Sequence, residues 1–282
     1  MLATARNDSR YVFLWLAAAY RGAIYAAVDP RQTDTELRGL VAQVEPKLVV
    51  TDAELDELFG EPGELDGPGP AKPDDAAVLI PTSGTTGRSK LVTQTHRAYA
   101  MAGEGFPWWL GLTEEDRLMT SLPLFHINAP AYSVLGSVAA RASLVLLPRF
   151  SASGFVDSAR RYGATEFNAI GAMTEILMRQ PQRPDDADNP LRLAYVGPVP
   201  PRERHLEIER RFGLELTSGY AMSETPYGTV WTRGTRPYGT AGCRTRRRCA
   251  SGVRARQRSR GPGRSFCNES LVMQSFQADC EV

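Results

Sequence analysis

Pro81-Thr82-Ser83-Gly84-Thr85-Thr86-Gly87-Arg88-Ser89-Lys90 joins two glycines, a run of hydroxyl side chains and a closing lysine. Residues 76–81 before it are a short apolar run, and residues 91–95 after it read as a second strand. Glycine exposes backbone N–H groups, and with Ser and Thr hydroxyls these can wrap phosphate oxygens. Lys90 would add a positive charge. An ordinary Gly/Ser/Thr turn is the competing reading. The P-loop of ATPases is excluded, because it needs Lys directly after the second glycine and then Ser or Thr. Here Gly87 is followed by Arg88, Ser89 and Lys90, then Leu91.

Outward from this loop, strand-like and helix-like segments alternate. Thr33-Asp34-Thr35-Glu36 is a capping-box signature, and Leu37, Leu40, Val41 and Val44 follow on one helix face that Pro46 ends. Residues 47–50 read as a buried strand, and residues 60–75, rich in Gly, Pro and acid, as an exposed connection. The spacing predicts helices over 96–110, 129–140, 172–179 and 201–212, and strands over 118–122, 144–147, 166–170 and 193–196. Phe155, Ala159 and Tyr162 share one helix face that stops at Gly163, and Gly213 stands past the end of the 201–212 helix. The alternation implies an α/β fold of layered, parallel-rich sheets with packed helices. No internal repeat is present.

The totals bound the function. The 282 residues are 42% apolar, enough for a packed core. No run of apolar residues is long enough to span a membrane, and the N-terminus lacks a signal-peptide core. A cytoplasmic protein without an integral membrane segment is the expectation. Residues 243–282 hold nine arginines, three acidic residues and all four cysteines (Cys243, Cys249, Cys267, Cys280). That is a net charge of +6 against −5 for the rest. The first 242 residues thus have no thiol nucleophile, disulfide or thiolate metal site.

TSGTTGRSK resembles the phosphate loop of the adenylate-forming, AMP-binding enzymes, which include the acyl-CoA synthetases. Two more blocks agree in order: Ser121-Leu122-Pro123-Leu124-Phe125-His126-Ile127-Asn128 and Gly219-Tyr220-Ala221-Met222-Ser223-Glu224-Thr225. Arg21-Gly22-Ala23, Val28-Asp29-Pro30-Arg31 and Val49-Val50-Thr51-Asp52 fit more weakly. The resemblance spans roughly residues 8–242 and is nearest to the crotonobetaine/carnitine-type CoA ligases. It implies a partial N-terminal domain of the adenylate-forming fold over residues 1–242. It also implies ATP, Mg²⁺ and coenzyme A as cofactors, and a small carboxylic acid as substrate.

The resemblance further implies roles. Thr82, Ser83, Gly84, Thr85, Thr86, Gly87 and Lys90 would clamp the β- and γ-phosphates, although Arg88-Ser89 replaces the family's common residue-then-proline. Gly197, Pro198, Gly219, Tyr220 and Ala221 would border or stack on adenine. Ser223 would donate to the α-phosphate, and Glu224 with Thr86 would hold Mg²⁺. Lys90, Ser223, Glu224 and His126 are the candidate catalytic residues. His126 lines the acyl tunnel or the thiol entry on this reading, and is a satisfied core histidine on the other. Ile170-Gly171-Ala172 would meet the acyl group, with Phe125, Asn128 and Met173 shaping the pocket. His96 and His205 read as structural or solvent-facing, and Trp108-Trp109 as core packing rather than a stacking platform.

Full-length members carry a catalytic lysine in a small C-terminal domain. The lysines here are Lys47, Lys72 and Lys90, so the expectation is little or no turnover, with a non-catalytic nucleotide- or acyl-binding remnant as the alternative. Residues 243–282 match neither helix nor strand periodicity. The expectation there is a non-homologous Arg/Cys-rich tail, disordered or frame-shifted. Its charge alone would suit nucleic acid, but it lacks interleaved aromatics, and its cysteines do not form the pairs of a zinc module. No nucleic-acid partner is expected.

Overall fold

The computed structural model describes residues 1–59, 67–82, 90–231, 238 and 243–244. Met1–Thr245 forms one compact unit; the second, Arg246–Val282, lies outside the described residues. The disordered or frame-shifted tail expected there falls outside them too, apart from the backbone of Cys243 and Arg244.

The first half of the chain runs β1 (Leu2–Thr4), α1 (Ser9–Tyr20), β2 (Tyr25–Val28), α2 (Asp34–Val44), β3 (Val49–Val50), α3 (Asp52–Leu58), β4 (Ala76–Thr82) and β5 (Lys90–Thr95). These strands form a five-stranded sheet in the order β3-β1-β2-β4-β5. All pairs are parallel except β4–β5, which is antiparallel and closes with Thr82 opposite Lys90. The chain direction is thus opposite in β4 and β5.

Next come α4 (His96–Leu110), β6 (Arg117–Thr120), α5 (Leu135–Ala140), β7 (Ser143–Leu146), α6 (Phe155–Tyr162), β8 (Glu166–Ile170) and α7 (Gly171–Met178). They are followed by β9 (Leu193–Gly197), α8 (Arg202–Phe212), β10 (Glu215–Met222), β11 (Thr225–Val230) and β12 (Cys243–Arg244). The second sheet has the order β12-β11-β10-β9-β8-β6-β7. From β10 to β7 it is parallel; β11 and β12 are added antiparallel. The chain leaves β6 toward β7 on one side and returns to β8 on the other. That places a topological switch point between β6 and β8, where open α/β sheets bind ligands at their carboxyl ends.

Local chemistry explains the element ends. Thr33 and Glu36 form the expected capping box on α2, and Thr51 with Glu54 repeats it on α3. Gly163 and Gly213 end α6 and α8 at φ +63° and +67°, the left-handed region where glycine carries no Cβ penalty. The 96–110 helix is found as α4. The 129–140 segment is helical but divides into a π-helical turn, Ala129–Val134, and then α5.

Four expectations need correction. The buried strand over 47–50 shortens to Val49–Val50 with Leu48 44% exposed, because β3 is the edge of its sheet. β6 stops at Thr120, not Leu122, because the Thr120 hydroxyl accepts the Leu122 N–H at 3.2 Å and turns the chain. Tyr162 is 40% exposed, so Phe155, Val156 and Ala159 alone form the buried face of α6. Trp109 is core, but Trp108 is 57% exposed.

The core beneath the switch point is aromatic. Phe106 of α4 stacks on Tyr132 of the π-helical turn at 5.1 Å, and Tyr195 of β9 meets both edge-on at 5.4 and 5.5 Å. This cluster fixes α4 and the 129–134 turn over the second sheet.

Candidate functional site

The parallel strands of the second sheet end on one rim, and several of the sequence-predicted residues gather there. β8 ends at Ile170 and is followed by Gly171, β9 ends at Gly197 and is followed by Pro198, and β10 ends in Gly219–Met222. Gly219 is sterically required: a Cβ there would fall 2.5 Å from the Thr229 carbonyl oxygen and 2.6 Å from the Tyr195 hydroxyl. Gly197 is not, since its Cβ would lie 3.7 Å from the Gly219 oxygen, an ordinary contact. A Cβ on Gly171 would meet the Pro198 oxygen at 3.4 Å, which places the β8 and β9 ends side by side.

Large apolar side chains stand exposed on this rim: Tyr220 at 52%, Ile170 at 46% and Met222 at 43%. The Tyr220 hydroxyl points to the Met222 sulfur at 3.7 Å. An exposed aromatic plane beside a glycine-lined strand end can stack on a flat ring. Ala221, on the opposite face of β10, packs against the core.

Ser223 and Glu224 form the two-residue turn between β10 and β11, with Met222 paired to Thr225. Glu224 is exposed. The Ser223 carbonyl accepts a hydrogen bond of 2.5 Å from Gln94 Nε2, and Gln94 itself is buried in β5. β5 begins at Lys90, so Gln94 ties the strand that leaves the glycine-rich segment to the turn that carries Glu224. Lys90 is exposed, and four residues of strand separate it from Gln94, roughly 13 Å. The strand that begins at Lys90 and the turn that carries Glu224 are thus tied together at Gln94. Thr82 donates its hydroxyl to the Lys90 carbonyl at 3.3 Å. Ser83, Gly84, Thr85, Thr86 and Gly87 lie outside the described residues.

The Glu224 carboxylate suits a hard cation such as Mg²⁺, which takes one or two carboxylates and completes its shell with phosphate oxygens and water. Among the described residues no three His, Cys, Asp or Glu side chains gather into a metal cluster.

His126 sits on the segment that leaves β6 at the switch point. It opens onto an apolar crevice lined by Trp15, Tyr25, Ile80, Tyr99 and Phe125 among others. The crevice cavity is about 20 Å³, room for a water rather than an acyl chain. Burial of the ring pushes the His126 pKa below its usual range, with the Asp29 charge opposing and Arg31 reinforcing. The Val28-Asp29-Pro30-Arg31 stretch is therefore a neighbour of His126. Asp29 is held by Arg31 through hydrogen bonds of 2.7–3.2 Å. Met173 is buried in α7. Asn128 carries a buried carbonyl oxygen without a hydrogen-bond partner, as does Asn168 of β8, whose amide donates to Ser133 at 2.8 Å. His205 is a fully buried structural residue that contacts Glu209 at 3.1 Å and stacks on Trp231.

Sequence reasoning missed Gln94 and Tyr132. The alternation of β5 held a signal for the first, because Lys90, Val92 and Gln94 share a face. Tyr132 donates its hydroxyl to the Pro226 carbonyl at 2.6 Å and so anchors β11. No local pattern marks that contact. Among the described residues no helix is long and apolar enough to cross a membrane.

Comparison with known proteins agrees with this layout. The family model described as AMP-binding enzyme matches residues 3–255. The chain is 31% identical over 227 residues to the medium/long-chain-fatty-acid–CoA ligase FadD17 of Mycobacterium tuberculosis, covering 74% of this chain and 45% of that protein. It is 29% identical over 263 residues to the crotonobetaine/carnitine–CoA ligase of Salmonella agona, covering 80% and 51%. The O-succinylbenzoate coenzyme A synthetase of Bacillus subtilis, solved in complex with AMP, superposes with a TM-score of 0.73 at 25% identity. That match covers 86% of this chain and 67% of that one. The chain spans about half the length of these two curated relatives.

Proposed function

The chain belongs to the AMP-binding enzyme family, and on that premise we propose that it carries the nucleotide- and acyl-binding part of an ATP-dependent, AMP-forming acid–thiol ligase. The substrate carboxylate attacks the α-phosphorus of ATP; an acyl-adenylate forms and pyrophosphate leaves. A thiol, that of coenzyme A, then attacks the acyl carbon and releases AMP, giving a thioester. The carboxylate is ionised at pH 7, so the first step needs no general base. It needs positioning and neutralisation of the charge on phosphate.

The observation that carries this reading is the hydrogen bond from Gln94 to Ser223, which sets the strand of Lys90 against the turn of Glu224. In this reading Lys90, Thr82, Ser83, Gly84, Thr85, Thr86 and Gly87 hold the β- and γ-phosphates. Ser223 donates to the α-phosphate, and Tyr220 stacks on adenine beside Gly197, Pro198, Gly219 and Ala221. Glu224 and Thr86 hold Mg²⁺, which neutralises charge on the phosphates when bound. His126 stands at the acyl or thiol approach. FadD17 and the carnitine-type ligases are named for different acids but for one kind of product, a coenzyme A ligation.

The sequence has no lysine after Lys90. That favours a second reading for these 282 residues taken alone, a nucleotide- and acyl-binding remnant with little turnover. ATP–pyrophosphate exchange with a panel of carboxylic acids tests both. Weak or absent exchange together with measurable AMP binding is expected. Robust exchange would sink the low-turnover reading, and absence of any AMP or ATP binding would sink the ligase reading.

A further inference from the structure

The turn at Ser223-Glu224 is of a kind that hairpins do not favour. Two-residue hairpin loops match the right-handed strand twist when one or both central residues take positive φ, hence their preference for Gly, Asn and Asp. Ser223 and Glu224 are neither glycine nor among the residues with positive φ. The pairing also slips between Tyr220 and Met222. A turn of this form needs help from outside its own ladder.

Gln94 supplies it. Its cross-strand partner is Val78, and the next pairs along are Val92 with Ile80 and Lys90 with Thr82. Cross-strand partners share a face, and Val78 and Ile80 line the crevice beneath His126. Gln94 therefore occupies a position whose neighbours are apolar, 5% exposed, with an amide where burial alone would select Val or Leu. A buried amide without a partner is costly, and Gln94 Nε2 finds its partner on the other sheet at the Ser223 carbonyl, 2.5 Å away.

We propose that Gln94 is a positioning residue that holds the Ser223-Glu224 turn so that the Glu224 carboxylate faces the phosphates and their divalent cation. The inference rests on the ligase reading above. Gln94 touches neither nucleotide nor metal; it acts through the Ser223 carbonyl.

The test is calorimetric titration of the full 282-residue chain with AMP, with ATP, and with ATP plus Mg²⁺. The variants are Gln94→Met, which keeps the shape and removes the donor, Gln94→His, which restores an N–H donor, and Glu224→Gln. Gln94→Met is expected to lose about three- to tenfold of the Mg²⁺-dependent gain in ATP affinity, the worth of one hydrogen bond. AMP affinity is expected to stay within about twofold, and Gln94→His to recover part of the loss. The double variant Gln94→Met/Glu224→Gln should lose no more than Glu224→Gln alone, because both act through one carboxylate. If Gln94→Met does not fold, Gln94→Leu, which also lacks a donor, gives the same readout. An unchanged Mg²⁺ gain, a parallel fall in AMP affinity, or additive losses in the double variant would each overturn the proposal while leaving the ligase reading standing. Failure of the unaltered chain to bind any nucleotide would bring down the ligase reading, and this inference with it.

Discussion

The two rims of the seven-stranded sheet are built to opposite rules. At the amino-terminal rim, charge is buried and partnered. Asp116, just ahead of β6, accepts from Arg192 at 2.7–3.0 Å, from the Thr165 hydroxyl at 2.7 Å and from the Thr113 N–H at 2.8 Å. Burial alone would raise the Asp116 pKa; Arg192 and the two other donors more than offset it and hold the carboxyl below its usual range. Arg211 and Asp186, both under a tenth exposed, pair at 2.8 Å nearby. At the carboxyl-terminal rim, Ile170, Tyr220 and Met222 stand in solvent, and Glu224 is exposed. One rim holds the sheet together, and the other presents unspent surface to a ligand.

Substitutions can break that contrast. Asp116→Ala has the largest expected effect. It leaves the Arg192 guanidinium and the Thr165 hydroxyl without their shared acceptor and should cost about 3 kcal/mol of stability, read by urea unfolding. AMP affinity of the folded protein should not change; a large loss of affinity without loss of stability would erase the distinction between the rims. Next in size is Tyr220→Ala, expected to weaken AMP binding about tenfold by removing one aromatic stack. Its stability should stay within about 0.5 kcal/mol of the parent, as for other exposed sites. A marked fall in unfolding midpoint would mean that the carboxyl-terminal rim is structural as well.

The smallest effect concerns an exception on the amino-terminal rim. Glu166 is fully buried, and neither of its carboxyl oxygens has a hydrogen-bond partner. Burial, followed by the charge of Asp116, pushes its pKa well above the usual range, with Arg192 opposing. The folded state thus keeps a proton that the unfolded chain releases near pH 4.3. Stability from this group is complete below that pH and declines as pH rises toward the folded-state value. Glu166→Gln should match the parent near pH 4 and exceed it by about 1 kcal/mol at pH 8. Chemical unfolding across pH 4–8 reads the difference, and a constant offset would show that Glu166 does not titrate.

Much of the scaffold was legible because its signals are local. The Thr33–Glu36 box, the glycine stops at Gly163 and Gly213, and the apolar face of α2 each follow from side-chain chemistry within one or two turns. The direction of β5 was not legible. Residues 91–95 have the composition of any half-buried strand, and only pairing with β4 makes β5 antiparallel. Trp108 and Tyr162 were misplaced because the helix period gives a face, while the neighbours decide how wide a face is covered. Gly219, Tyr220 and Glu224 were singled out through their ordered motif, and the structure places them at the end of β10 and in the turn after it. The partner of Ser223 was not, since Gln94 lies 129 residues away and its burial comes from packing between two sheets.

The Thr82–Lys90 rung has a meaning for how such a chain can change over generations. Its backbone pairing, with the Thr82 hydroxyl on the Lys90 carbonyl, fastens both ends of the intervening seven residues to the same ladder. The two ends are held by the sheet itself, and doubling the length of a connection between them would add only about 0.6 kcal/mol. The composition of residues 83–89, including the Arg88-Ser89 pair that departs from the family pattern, can therefore drift or be reselected without endangering the fold beneath it. The rung separates the history of residues 83–89 from the history of the sheet.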